Sequence, residues 1–188
     1  DGIRVVTEPP GTLVPVLWGR GIAMAEGDVV ALTIGTFVVS LTWATALIDT
    51  ISSGAAGAGG PIRLAPSTGS ADAAVYFLRY SSYLPTDMGK RDVRDIAGDN
   101  AAYSMTALRQ IAWNEDRGFW ETEVNESLRE SGYRLTIDPA ADSTFLRGPG
   151  IRAFAVQRFT HARLFGKWRV ETGGESRLGI LLRSPLVP

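Results

Sequence analysis

The residues that come nearest to chemistry are Asp49-Thr50, within the run ALIDTISSGA. Aspartic peptidases use an apolar-Asp-Thr-Gly turn in which a strand delivers a carboxylate, and two such carboxylates share one proton to activate water. Here Ile51 stands where the glycine is required, and a β-branched side chain cannot take a positive φ or a close backbone approach. With one Asp-Thr pair, such an enzyme would have to be a homodimer. The competing expectation is an aspartate that ends a strand and caps the next turn. His161, in FTHARLF, is the one histidine in 188 residues, and no Gly-x-Ser-x-Gly elbow supplies a nucleophile for it. It reads as a structural residue between two strands. Glu115, Asp116, Glu121, Glu123, Glu126 and Glu130 form an acidic stretch, with Glu123/Glu126 and Glu126/Glu130 at helical spacing. Carboxylate metal bundles add Glu-x-x-His, which is missing, so these acids read as a solvated helix face. No cysteine is present, which removes thiol catalysis, zinc thiolates, iron–sulfur clusters and disulfides. No cofactor is implied: the glycine-rich run 53–72 has neither the GxxxxGK[ST] nor the GxGxxG pattern.

The elements that would position these residues divide the chain in three. Residues 1–52 read as β-rich, with strands at Ile3–Val6 and Leu13–Trp18. Val29 to Ile48 is a twenty-residue stretch without a charge. That is long enough to span a membrane. Its five hydroxyls, its glycine and the alternation of Phe37, Val39, Leu41 and Trp43 favour buried strands with a hairpin near Gly35-Thr36. Glu26 and Asp28 before it argue against a secretory signal. Residues 53–72, SSGAAGAGGPIRLAPSTGSA, read as a Gly/Pro/Ser-rich linker or arm without a core of its own. Residues 73–188 read as an α+β domain. Its expected elements are a strand at Ala73–Tyr80, helices over Asp92–Trp113 and Phe119–Ser131, and a strand at Tyr133–Ile137. Antiparallel strands at Ile151–Thr160 and Ala162–Glu171 follow, then a last strand at Arg177–Leu182. The fold class is thus α+β, an antiparallel sheet with two helices in the second half and a β-rich first part. The aromatics Trp113, Phe119, Trp120, Tyr133, Phe154, Phe159, Phe165 and Trp168 sit at core spacing, although aromatics among arginines can also stack bases.

Charge is unevenly placed. Residues 91–138 hold 6 basic and 10 acidic groups, residues 139–188 hold 8 and 3, and seventeen of the nineteen basic residues are arginine. The basic residues of 147–183 could meet nucleic acid or anionic lipid, but their dispersion favours pairing with the acidic middle of the same or a neighbouring subunit.

Residues 93–188 carry a family likeness. VRDIAGDNAAYSMTALRQ, FWETEVNESLRESGYRLTID, THARLFGKWRVE and RSPL occur in that order. This order resembles TrbH-type conjugal transfer lipoproteins, through Ile96-Ala97-Gly98-Asp99 as a helix start and Leu128-Arg129-Glu130-Ser131-Gly132-Tyr133 as a helix-to-strand step. The sequence has no lipid-bearing cysteine, and residues 1–70 have no counterpart in that family. The resemblance implies a non-catalytic envelope component of a secretion apparatus. On this reading the protein is a structural subunit that contacts other copies or subunits, or a membrane, through Phe37, Val39, Leu41, Trp43, Arg158, Arg163, Lys167 and Arg169. The alternatives are a coat or shell subunit of a virus-like particle and the homodimeric aspartic peptidase using Asp49.

Overall fold

Two sheets organise the chain in the computed structural model, which describes residues 2–111, 113, 117–172, 176 and 178–179. The elements in chain order are α1 (Val14–Ala23), β1 (Val29–Thr33), β2 (Phe37–Val39), α2 (Trp43–Ser52), β3 (Gly57–Gly59) and β4 (Ile62–Leu64). Then come α3 (Ser70–Tyr80), β5 (Arg91–Val93), β6 (Asn100–Ser104), α4 (Met105–Leu108), α5 (Glu121–Glu130), β7 (Leu135–Ile137), β8 (Ser143–Phe145) and α6 (Ile151–Thr172). The fold is mixed α+β. The larger sheet has the order β1-β6-β3-β7-β5 and the smaller one β2-β8-β4. All pairings are antiparallel except β3 with β7 and β4 with β8.

The centre of the large sheet is the glycine-rich segment expected to be an arm. Gly57-Ala58-Gly59 lies between β6 and β7 and is buried along its length. Composition misleads here because the apolar cover comes from neighbours. A Cβ on Gly57 would lie 2.7 Å from the Leu135 side chain and 2.9 Å from that of Ile96. On Gly60 it would lie 1.8 Å from the Ala141 carbonyl oxygen. Small residues let side chains and backbone of other segments close over the strand, and the missing Cβ is what makes room.

Other expected elements change type. Ile3–Val6 is exposed and forms no strand, and Leu13–Trp18 is the start of α1, with Pro15 in its first turn. The Phe37–Trp43 alternation is broken after Val39. β1 and β2 join different sheets rather than one hairpin, and α2 begins at Trp43. Ala73–Tyr80 is helical: Val75, Tyr76 and Tyr80 share its buried face. The expected helix over Asp92–Trp113 is two strands and a short helix, with the Ile96-Ala97-Gly98-Asp99 motif in the loop between β5 and β6. β6 is buried from Asn100 to Tyr103 on both faces, so it shows no alternation to read. The two strands expected over 151–171 are the single 22-residue helix α6. Of Arg177–Leu182, only Leu178 and Gly179 are among the described residues. Three readings agree with the structure: α5 falls within Phe119–Ser131, Gly132 ends it at φ 83°, and β7 falls within the expected strand Tyr133–Ile137.

One core cluster packs Trp18, Ile22, Leu32, Tyr103, Phe119, Val124, Leu128 and Leu135 between the large sheet, α1 and α5. A second, aromatic one joins Phe37, Tyr76, Tyr80 and Phe145 under α3. The loop before β6 passes between the two, and it positions the site.

Candidate functional site

Four segments bring ionisable groups together: the end of α3, the 94–99 loop, the start of α5 and the middle of α6. Asparagine fixes the loop. Asn125, fully buried on α5, donates to the Ile96 carbonyl at 3.0 Å and to Asp95 Oδ1, and accepts from the Tyr103 hydroxyl at 2.9 Å. Asp95 Oδ1 also accepts from the Ile96 N–H, and burial raises its pKa although these donors oppose the rise. Four residues on, Asp99 is 3% exposed. Its Oδ2 accepts from the Tyr80 hydroxyl and, at 2.7 Å, from Arg79 Nη2. Its Oδ1 is buried and has no hydrogen-bond partner among the described residues.

Glu121 opens α5, with Trp120 as its N-cap. It packs against the loop at Gly98, where a Cβ would lie 3.2 Å from Glu121 Cβ and 2.7 Å from the Trp18 ring. Burial pushes the Glu121 carboxyl up to about 7; Asp99 and Asp95 push it further, while its own backbone N–H and Arg79 oppose. The hydroxyls of Tyr80 and Tyr83 are raised by burial and by the same carboxylates, so both stay protonated donors.

Helix α6 covers this edge. His161 meets Trp120 edge-to-face at 5.4 Å, and its Nδ1 is 3.2 Å from Arg158 Nη2. Burial, then the Arg158 and Arg79 charges, lower its pKa to about 4, so the ring is neutral at pH 7. His161 Nε2 and Gln157 Oε1 are buried without hydrogen-bond partners among the described residues. Arg158 is itself shifted down by burial and by Arg79, while Glu121, Tyr80 and Asp99 act in the other direction. The arrangement can take up and release a proton near neutrality at Glu121, beside fixed hydroxyl donors and two guanidiniums. Among the described residues, no group of three or more carboxylates and histidines is arranged to hold a metal ion.

The residues singled out from sequence fall elsewhere or act differently. Asp49 lies exposed on α2 rather than at a strand end, and Thr50 beside it donates to Asp138 Oδ2 at 3.0 Å. Phe37 belongs to the core: it is 9% exposed and packs edge-on to Tyr80 and Phe145. Val39 is half-buried opposite Ser143, and Trp43 donates to Asn100 Oδ1 at 2.6 Å; of these four, Leu41 alone is fully exposed. Arg158, Arg163, Lys167 and Arg169 all lie on α6. Glu126 and Glu130 are on the exposed side of α5, whereas Glu121 is partly buried against the loop, and Glu115 and Asp116 lie outside the described residues. Asp95, Asp99 and Glu121 went unrecognised as a group. The available signal was a charge embedded in apolar sequence, in Ile-Ala-Gly-Asp and in Phe-Trp-Glu.

No protein-family model matches this chain, and no curated protein matches it.

Proposed function

We propose that the protein is an enzyme in which Glu121 is the general base for a hydroxyl or water nucleophile. The observation that supports this reading is the packing of Glu121 against Gly98 in the loop that carries Asp99, whose buried Oδ1 has no hydrogen-bond partner among the described residues. Burial and the neighbouring carboxylates push the Glu121 carboxyl up to about 7. Groups perturbed by burial together with specific charges concentrate at functional sites. A general base works best with a pKa near the operating pH. In the step, the nucleophile's O–H proton passes to Glu121 while its oxygen lone pair attacks the electrophilic centre, whose leaving group departs with the bonding pair. Arg158 provides positive charge for that leaving group, and Asp95 and Asn125 hold the loop that carries Asp99.

The test is hydrolysis of a panel of nitrophenyl esters, phosphates and glycosides by the intact chain and by Glu121→Gln. The reading expects log kcat/KM to rise with unit slope to a plateau above about pH 7. The substitution should cost roughly 100-fold or more. Turnover unchanged in Glu121→Gln refutes it. So does a carbon-13 titration that places the Glu121 carboxyl at its ordinary 4.5 in the folded protein.

A second reading is the envelope assembly component that the TrbH-type resemblance implies. Exposed Ile3, Val5 and Val6 near the start of the chain, and Phe77 and Leu78 on α3, favour it. Subunits of an assembly would cover these side chains.

A further inference from the structure

Helix α6 has two unlike sides. Phe154, Gln157 and His161, at i, i+3 and i+7, turn inward, where Phe154 packs on the aromatic core and His161 on Trp120. The opposite side is exposed. Ile151, Ala155, Phe159 and Ala162 form a stripe at i, i+4, i+8 and i+11, and Phe159 is 71% exposed. Along its flank run Arg152, Val156, Arg163 and Lys167, all exposed as well. The helix holds five Lys/Arg against one acid, Glu171. Arg147 and Leu146, exposed just before it, extend the pattern. At 1.5 Å per residue it presents about 33 Å of such surface.

Apolar side chains this exposed, laced with cations, fit an anionic bilayer. An anionic bilayer takes aromatic and aliphatic side chains into its acyl boundary and pairs arginine and lysine with its phosphates. A second copy of α6 would set the same cations against one another across a twofold contact. Among the described residues no helix is long and apolar enough to cross a membrane, so the geometry is one of lying on the surface.

We propose that the outward face of α6 docks on an anionic lipid surface, with Phe159 and Val156 in the acyl boundary and Arg152, Arg163 and Lys167 at the headgroups. This places the carboxylate cluster behind α6, on the side away from the lipid.

The experiment is co-sedimentation of the intact chain with vesicles of phosphatidylcholine alone and with vesicles enriched in phosphatidylglycerol. Binding is expected to the anionic vesicles, weakening with added salt. Each basic residue near an anionic surface contributes roughly fivefold. The triple variant Arg152→Gln, Arg163→Gln, Lys167→Gln should therefore lower the partition coefficient more than about tenfold. Phe159→Asp should lower it by a similar factor with the far-ultraviolet dichroism unchanged, because both sets of side chains are exposed. Failure of the unmodified chain to bind anionic vesicles overturns the proposal. Binding indifferent to Phe159→Asp also does so, since it reports bulk charge attraction. Two further results point to another occupant and overturn it: concentration-dependent dimerisation abolished by Phe159→Asp, and oligonucleotide binding stronger than vesicle binding at the same salt.

Discussion

Replacing Glu121 by glutamine should stabilise the protein, and by an amount that grows with pH. The carboxyl moves from its ordinary 4.5 in the unfolded chain to about 7 in the folded one. Between those values the folded state binds the proton and the unfolded state does not, so stability falls as pH rises through the window. The displacement corresponds to roughly 3 kcal/mol, an upper figure because the Glu121 side chain is only partly buried. Glutamine keeps the shape and carries no charge, so it removes this loss, which includes the repulsion from Asp99 and Asp95. Urea unfolding of both proteins at several pH values measures the difference directly. The two stability curves should run close together near pH 4.5 and separate up to about pH 8, with the variant more stable above neutrality by about 2–3 kcal/mol. For a domain of this size that is a rise in Tm of roughly 4–12 °C. Parallel curves, or a variant no more stable than the parent at pH 8, would refute the raised Glu121 carboxyl at the start of α5.

His161 titrates in the opposite sense: its pKa falls to about 4, so its contribution is present above the ordinary 6.5 and is lost as pH falls from there towards 4. His161→Phe should flatten the acid side of the stability curve, and an unaltered acid limb in the same urea series contradicts the packing against Trp120. Gly60→Ala should cost about 3 kcal/mol or more, because the added methyl meets the Ala141 carbonyl at 1.8 Å. A variant with the parent's Tm would show that the β3–β4 corner is looser than described.

What could be read from sequence depended on how each element is buried. α5 was legible because one side of it is polar and the other carries Val124 and Leu128, and because Gly132 punctuates its end. β6 was not, since Asn-Ala-Ala-Tyr is buried on both faces and its alanines favour a helical reading. α6 was not, because Phe154 faces the core while Ile151, Val156 and Phe159 face out, which blurs the helical period. β3 was hidden by a compositional rule that is sound for isolated chains. Glycines cannot build a core, yet Leu135, Ile96 and Tyr103 build one over them. The carboxylate cluster draws residues from positions 79 to 161, and the β5–β6 turn, the Asn125 contacts of α5 and the α3–α6 packing bring them together.

The strand orders have a consequence for how the molecule can be divided. From one edge, the large sheet takes its strands alternately from before and after residue 69: β1, then β6, then β3, then β7 and β5. The small sheet does the same, with β8 between β2 and β4. A chain cut in the exposed turn at 66–69 would therefore yield two fragments with interdigitating strands, neither holding a complete sheet. Each fragment alone would present bare backbone edges, whereas together they interlock like the fingers of two hands. Each fragment should therefore find its fold only in the presence of the other.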